Sequence, residues 1–212
     1  PGYKVTDASG NVIGYSRNCS IDTFVSYLYR SNVNGAFKAL PNDGSRPSDM
    51  ATAALDDGRT VDFIVRREIG SINRFLYSIA MLAPAPAADT AAQDDTGLWN
   101  RKLLYWFQGG VAIGHTQGTV HGGSMNADIL AKGWAIVHSS GNNTGTHYNL
   151  NLAGETAMMT KERFIERYGD AGADEFDPRG GTTTQRLLMM NGQAVRDITE
   201  DDLLTSAATR VA

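Results

Sequence analysis

The chain has 212 residues, of which 42% are hydrophobic and 20% are charged, and its formal net charge is -4. This apolar fraction can bury a core, which excludes a disordered chain, and 23 glycines without a period and only 6 prolines exclude a collagen-like repeat. With 19 Lys and Arg against 23 Asp and Glu and no basic cluster, the composition predicts no nucleic-acid partner. No apolar run approaches the roughly 20 residues that span a bilayer, so no membrane span is expected.

Residues 1–60 are rich in turn-forming residues around one aromatic patch. In that patch Val25, Tyr27 and Tyr29 alternate with other residues, which favours a strand, while Leu28 beside Tyr27 leaves a helix open. We expect a loop-rich lead-in with one short element. The start lacks an initiator Met and a signal pattern, which is typical of the middle of a longer reading frame. The single Cys19 is expected to be an inert, buried thiol.

The first strong pattern consists of two β-rich runs, 61–68 and 72–82, on either side of Gly70. Two such runs around a glycine predict a β-hairpin that turns at residues 69–71. Residues 83–98 are mostly Ala, Pro, Asp and Thr and predict an exposed loop.

Two continuous apolar runs, 102–107 and 133–138, predict strands that are buried on both faces of a sheet. Residues 125–132 between them have helical spacing, with Ser124 as the expected N-cap, so a βαβ unit is predicted. Residues 154–169 predict a second helix.

The apolar stripe of this second helix is expected to include Met158 in the core and to end at Gly169. The chain then divides into a lead-in (1–60), a main domain (61–169) and a helical appendage (170–212), in which residues 199–211 predict a helix behind a capping box.

The loop from Phe107 to Gly118 is the first candidate for chemistry. Its glycines follow a buried strand, where backbone N–H groups can point at an anion or a developing oxyanion, although a tight turn needs the same glycines. His115 and Gln117 lie in this loop, and they either line a ligand pocket or hold the loop shape by hydrogen bonds.

The histidines show no metal-binding spacing, so no metal and no cofactor are predicted. The stretch from His121 to Ser124 is weakly similar to the HGGG oxyanion motif of lipases. His138 ends a buried run, and we expect a hydrogen-bonded core histidine rather than one that faces a cleft.

A catalytic nucleophile is the feature that the sequence lacks. No Gly-x-Ser-x-Gly elbow occurs, and Glu68 and Glu155 are more simply salt-bridge or helix N-terminal charges than general acids. Ser124 and Ser139 remain as candidates for a cryptic nucleophile.

Four ordered blocks resemble a secreted bacterial α/β-hydrolase family of uncharacterised function that is distantly similar to tannases and feruloyl esterases: FIVRREIGSINRFLYSIAML, LLYWFQGGVAIGHTQG, LAKGWAIVHSS and AGETAMMTKERFIERYG. With two blocks upstream, at 18–31 and 36–40, the resemblance covers residues 1–169. It implies an extracellular or periplasmic protein that hydrolyses small-molecule esters.

The same resemblance implies roles for parts of this chain. The hairpin that contains Ile72-Asn-Arg starts the sheet, and the glycine loop carries the oxyanion donors, which we assign to the N–H groups of Gly110 and Val111. The helix that ends at Gly169 leads into the nucleophile strand. His115, Gln117 and His121 are the expected substrate-binding residues.

The chain also departs from this family. Where the family continues with a Gly-Gly-Ser-Gly-Gly elbow, residues 169–181 contain no serine. Cysteines of the family are replaced at Lys4 and Val111 and in the loop around Thr144, so Cys19 lacks its expected partner. The tail, 179–198, weakly resembles the C-terminal region of large secreted bacterial proteins associated with c-type cytochrome modules, which suggests a join.

The expected fold is therefore α/β: a partial α/β-hydrolase-like mixed sheet, in which an antiparallel hairpin leads into parallel strands. Three functions follow from it. The first is a hydrolase segment without its nucleophile elbow, inactive until a missing C-terminal half or a second chain joins it. The second is a non-catalytic small-molecule or carbohydrate-binding module with Trp99, Trp106 and Tyr148 as a platform. The third is an enzyme with a cryptic serine.

Overall fold

The computed structural model describes residues 2–7, 10–86, 96–108, 114, 116–143, 145–169 and 176–179. These residues form one seven-stranded mixed sheet, two small two-stranded sheets and two α-helices. The strands are β1 Tyr3–Thr6, β2 Val12–Ser16, β3 Phe24–Arg30, β4 Phe37–Ala39, β5 Thr52–Ala54, β6 Thr60–Asp62, β7 Ile64–Ile72, β8 Phe75–Leu82, β9 Leu103–Gln108, β10 Ala135–Asn143 and β11 Phe176–Arg179. The helices are α1 Ala127–Ala131 and α2 Leu150–Tyr168, and a 3₁₀ turn spans Gly122–Met125.

The main sheet has the strand order β11-β9-β10-β8-β7-β3-β4. Strand β9 is parallel to both β10 and β11, and the other four pairings are antiparallel. The segment β9-α1-β10 is the predicted βαβ unit, which is confirmed. The described chain is nevertheless richer in strands and in antiparallel pairs than the predicted α/β fold.

The lead-in is more ordered than the sequence indicated. Instead of one short element it holds β1 to β5, and β3 and β4 belong to the main sheet. The aromatic patch is the strand β3, which pairs with β7 from Phe24 to Tyr29. Four of these five strands have three to five residues, too few to show a hydrophobic period, so the prediction missed them.

The predicted hairpin is confirmed by β7 and β8, but its turn lies at Asn73 and Arg74 rather than at residues 69–71. Both turn residues have positive φ, 52° and 71°, as a type I′ turn requires. Gly70 instead lies inside β7. A Cβ atom at that position would lie 2.6 Å from Thr23 Oγ1 and 2.8 Å from the ring of Tyr77, so the glycine makes room for a side chain of the neighbouring strand.

We expect Gly70→Ala to lower the free energy of unfolding by about 1–3 kcal/mol, because the added methyl group forces Tyr77 or the backbone to move. Gly97→Ala is the matched control, since a Cβ at Gly97 meets nothing within 4 Å. Urea unfolding of both variants measures the difference. Equal stability of the two variants would contradict the packing role of Gly70.

Helix α1 is capped by Asn126, whose side chain accepts the N–H of Ile129, and not by Ser124 as predicted. Ser124 is buried in the 3₁₀ turn, where its hydroxyl donates to the carbonyl of His121 at 2.8 Å. The stretch from His121 to Ser124 thus belongs to a separate turn, and α1 begins two residues later than predicted.

Helix α2 begins at Leu150, four residues before the predicted start, and Asn149 caps it by accepting the N–H of Leu152. The prediction that Met158 lies in the core is wrong, because its side chain is 71% exposed. The buried stripe of α2 consists of Ala153, Thr156, Ala157, Thr160, Phe164 and Tyr168. Neither described helix is long and apolar enough to cross a membrane.

Side chains of the main sheet pack on both of its faces. On one face, strands β8, β9 and β10 pack against α2; this core contains Tyr77, Ile79, Met81, Leu103, Tyr105, Phe107, Val137 and Phe164. On the other face the sheet is covered by α1 and by the short strands; this core contains Val65, Ala80, Leu82, Leu104, Ile129, Leu130 and Ile136. Burial on both faces explains why β8, β9 and β10 read as continuous apolar runs.

An ionic cluster lies within the α2 face. The Glu68 carboxylate is 1% exposed, and its Oε1 accepts from Tyr77 at 2.8 Å and from Arg163 at 3.0 Å. Its Oε2 accepts from Tyr168 at 3.1 Å and pairs with Arg66 at 3.4 Å. The interpretation of Glu68 as an ion-pair residue is confirmed.

Several predictions fall on other parts of the chain. The middle of the exposed loop (87–95), the helix at 199–211 and all of the cytochrome-associated resemblance after residue 179 lie outside the described residues.

Candidate functional site at the carboxyl edge of the parallel strands

A cavity of about 410 Å³ lies where the loops that follow β9 and β10 meet the hairpin turn and the start of α2. Ligand sites in sheets with parallel strands lie outside the carboxyl ends of those strands, and both loops leave the sheet at that edge. The described residues that line the cavity are Cys19, Arg74, Phe75, Gly114, Thr116, Gln117, Thr146, His147, Tyr148, Asn149 and Leu152.

Of the expected site residues in the glycine loop, Gly110, Val111 and His115 lie outside the described residues. Gln117 lines the cavity, and its side-chain amide donates to the carbonyl of Cys19 at 2.9 Å. Gln117 thus lies at the cavity and bonds to the segment that follows β2, while its role toward a substrate stays a prediction. Cys19 itself is exposed, so the expectation of a buried thiol was wrong.

The two loops approach each other through their backbones. A Cβ atom at Gly114 would lie 2.5 Å from the carbonyl oxygen of Gly145 and 2.7 Å from that of Thr146. Ser140, in β10, donates its hydroxyl to the carbonyl of Gln117 at 2.5 Å and accepts the N–H of Leu76 at 3.0 Å. The end of the glycine loop is thus held against β10 and β8.

His147 forms one wall of the cavity, although no sequence signal singled it out. Its Nε2 lies 2.6 Å from the carbonyl oxygen of Gly141, and its Nδ1 accepts the N–H of Asn149 at 3.2 Å. A carbonyl can only accept, so Nε2 donates to Gly141, while Nδ1 faces a backbone donor. The ring centroid lies 4.9 Å from that of Phe75, with the two ring planes tilted by 37°, so the two rings together line this side of the cavity.

His121 lies outside the set that lines the cavity. Its ring is 6.4 Å from that of Trp106 and 5.5 Å from that of His138, centroid to centroid, and both pairs are stacked. Its Nδ1 accepts the N–H of Gly123 at 2.9 Å, which caps the 3₁₀ turn. The structure therefore places His121 in a stack with Trp106 and His138.

His138 is a core residue, 1% exposed, but it is not hydrogen-bonded as expected: neither ring nitrogen has a partner among the described residues. Burial, with a smaller contribution from His121, lowers the pKa of His138 to about 3. The ring is neutral at physiological pH, and at that pH it adds no charge to the candidate site.

The two candidate serines are both buried. Ser124 donates to a backbone carbonyl, and the Oγ of Ser139 accepts the N–H of Gly141 at 3.2 Å. Within the described part of the chain, no serine hydroxyl is hydrogen-bonded to a histidine ring. A serine nucleophile is commonly activated by a hydrogen-bonded histidine base, and among the described residues neither serine has one.

The three aromatic residues suggested as a platform are not brought together. Trp99 is 6% exposed and packs on Phe164, and Trp106 stacks on His121. Only Tyr148 lines the cavity, with 67% of its surface exposed. Among the described residues no group of three His, Cys, Asp or Glu side chains is close enough to hold a metal ion.

Comparison with known families adds one finding to this geometry. The model of the tannase-like family of unknown function (DUF6351) matches residues 4–173. The chain belongs to this tannase-like family. No curated protein and no solved structure matches the chain. The family match includes every described residue that lines the cavity and ends between α2 and β11, so the cavity is built from the tannase-like part of the chain.

Proposed function

We propose that this tannase-like chain forms the ester-binding half of an α/β-hydrolase, in which the loop after β9 supplies oxyanion-stabilising N–H groups and the nucleophile comes from elsewhere. The observation that carries the proposal is the cavity at the carboxyl edge of β9 and β10, bordered by the glycine loop. Its volume of about 410 Å³ is within the range of small-molecule sites.

The sheet topology supports the α/β-hydrolase assignment. The hairpin β7-β8 is antiparallel and leads into the parallel strands β10 and β9, as the resemblance implies. After α2 the backbone of β11 runs parallel to β9, where the nucleophile strand is expected. The residues around it, 169–181, contain no serine, so on this proposal β11 corresponds to the nucleophile strand and its elbow lacks the serine.

Ester hydrolysis needs both an oxyanion site and an activated hydroxyl. Glycine-loop N–H groups, including those of Gly110 and Val111, would stabilise the carbonyl oxygen of an ester bound in the cavity. The hydroxyls of Ser124 and Ser139 are buried and already engaged. The chain alone is therefore proposed to bind small esters without turning them over, until a C-terminal half or a second chain supplies the nucleophile.

Titration of the ¹⁵N-labelled chain with methyl benzoate tests the binding part. Amide shifts are expected at residues 114–118 and 146–152, and Thr116→Trp, which fills the cavity, is expected to abolish them. Val33→Trp is the matched control, because Val33 is 78% exposed and does not line the cavity. Shifts elsewhere, or none in a folded sample, would refute an ester site here.

Labelling with a fluorophosphonate probe tests the nucleophile part, because this probe reacts with an activated hydroxyl and not with every serine. We expect no labelled peptide and no release of benzoate. Stoichiometric labelling of one serine, lost in its Ser→Ala variant, would instead make the chain a self-contained hydrolase.

A non-catalytic binding module is the second candidate, and Tyr148 favours it. This exposed ring stands at the cavity beside the wall of Phe75 and His147, and exposed aromatic faces suit the apolar face of a sugar. Methyl glucoside in the same titration separates the two functions. Shifts of the cavity amides by the glucoside and not by methyl benzoate would favour the binding module.

A further inference from the structure

The cavity has an uneven charge. Among the described residues that line it, Arg74 is the only Arg or Lys, and neither Asp nor Glu is present. An arginine is ionised at every physiological pH. A ligand in this cavity therefore meets one full positive charge and no carboxylate from the described lining.

The hairpin turn fixes where the backbone of Arg74 lies. Arg74 is the second turn residue, with a φ of 71°. Its neighbour Asn73 donates its side-chain amide to Thr156 Oγ1 at 3.1 Å and to Glu155 Oε2 at 3.4 Å, which ties the turn to α2. On the other side, the Phe75 ring packs on His147. The backbone of Arg74 is thereby held at the rim of the cavity from both sides.

Arg74 is exposed, and among the described residues its side chain has no ion-pair or hydrogen-bond partner. Other arginines are engaged: Arg46 pairs with Asp62, Arg59 with Asp57 and Arg163 with Glu68. The start of α2 also borders the cavity and has no acidic residue in its first turn, so its partial charge has the same sign as the guanidinium. Glu155, which contacts the neighbouring Asn73, is outside the lining, so the charges that face the cavity from the described residues favour an anion.

We propose that Arg74 binds a carboxylate group of the ligand, so that the esters taken by this cavity carry a carboxylate beside a flat apolar part. A guanidinium can donate two parallel N–H bonds to a carboxylate, and the rings of Phe75 and His147 contact the flat part. The claim that the ligand is an ester rests on the proposed function, whereas the preference for a carboxylate rests on the residues that line the cavity.

Two esters of nearly the same shape test this proposal: monomethyl terephthalate, which has a carboxylate opposite its ester, and methyl benzoate, which lacks it. We expect the full chain to bind monomethyl terephthalate at least about tenfold more tightly at low salt, as a hydrogen-bonded charge pair gives. Calorimetry or the amide shifts of residues 114–118 and 146–152 measure both affinities. Added salt should reduce the difference.

Arg74→Gln is expected to remove this preference, so that the two esters bind with similar affinity, while Arg74→Lys, which keeps the charge but not the two-pronged geometry, retains part of it. Arg167→Gln is the control for net charge, because Arg167 is exposed in the last turn of α2, away from the cavity. The ¹⁵N spectrum of each variant checks that it is folded.

Each outcome separates the two proposals. Equal binding of the two esters at the cavity would overturn the role of Arg74, and so would a preference for the carboxylate ester that survives in Arg74→Gln. Either result would leave the proposed ester site intact. If neither ester binds, the proposed function fails. In that case, a comparison of benzoate with uncharged benzamide tests the preference for a carboxylate by itself. Amide shifts at the cavity that benzoate causes and Arg74→Gln abolishes would support this preference, and their absence would overturn it.

Discussion

Glu68→Ala is expected to lower the free energy of unfolding by about 3–5 kcal/mol, the usual cost of removing one partner from a buried ion pair. The carboxylate joins three elements, because Arg66 is on β7, Tyr77 on β8, and Arg163 and Tyr168 on α2. Without it, the Arg66 guanidinium, which is only 4% exposed, loses its carboxylate partner. The strand that borders the hairpin turn and the helix that borders the cavity would both be weakened.

Urea unfolding measures this loss, with Glu162→Ala as the matched control. Glu162 is an exposed carboxylate on the same helix, and its removal is expected to change the free energy by less than about 0.5 kcal/mol. Similar losses in the two variants would show that the cluster adds nothing beyond an ordinary surface charge.

The pKa of Glu68 also indicates that its neighbours stabilise the ionised carboxylate. Burial alone would raise this pKa, but the hydroxyl of Tyr77 and the guanidinium groups of Arg163 and Arg66 outweigh burial and lower it. A carboxyl whose folded-state pKa is depressed stabilises the fold above its unfolded value and loses that contribution as the pH falls. The cluster should therefore weaken in acid, below about pH 4.3.

The elements with a clear hydrophobic period could be predicted from the sequence. The hairpin, the βαβ unit and α2 have apolar runs of strand length or an apolar helical stripe, and all three are present. The turn at Asn73 and Arg74 was missed because its second residue is not the glycine that usually marks a type I′ turn, while Gly70, which attracted the prediction, is needed for packing.

Helix α2 shows why the width of the buried face of a helix is hard to predict from the sequence. Met158 lies next to Ala157 in the sequence, and an apolar stripe drawn through both is wider than the face that the sheet covers. Only the side of Ala157 and Phe164 is buried. Sequence alone cannot say how wide the covered face is, because that depends on which strands lie beneath the helix.

The side of the sheet on which the candidate cavity lies could be predicted, but not the residues that line it. A glycine-rich loop after a buried strand indicated the carboxyl edge of the sheet, and Gln117 in that loop lines the cavity. Arg74 and His147 come from a hairpin turn and from a loop after another strand, and only the sheet order β9-β10-β8-β7 brings those segments together. His121 and His138 likewise meet through the fold.

Acid is expected to destabilise the chain through His138, and His138→Phe should remove that effect. The folded-state pKa is lowered to about 3 from an ordinary value of 6.5, first by burial and then by His121. Between these values the unfolded chain binds a proton that the folded chain excludes, so the free energy of unfolding falls as the pH falls, by about 1.4 kcal/mol per pH unit. A phenyl ring keeps the stack with His121 and does not titrate.

Urea unfolding of wild type and His138→Phe at about pH 6.5 and about pH 5 measures the effect. Carboxylates such as Glu68 are still ionised across this interval, and the contribution of His121, whose pKa burial also lowers, is common to both proteins. We expect wild type to lose about 2 kcal/mol more than His138→Phe over this interval. Parallel losses would mean that the His138 imidazole can be protonated without unfolding.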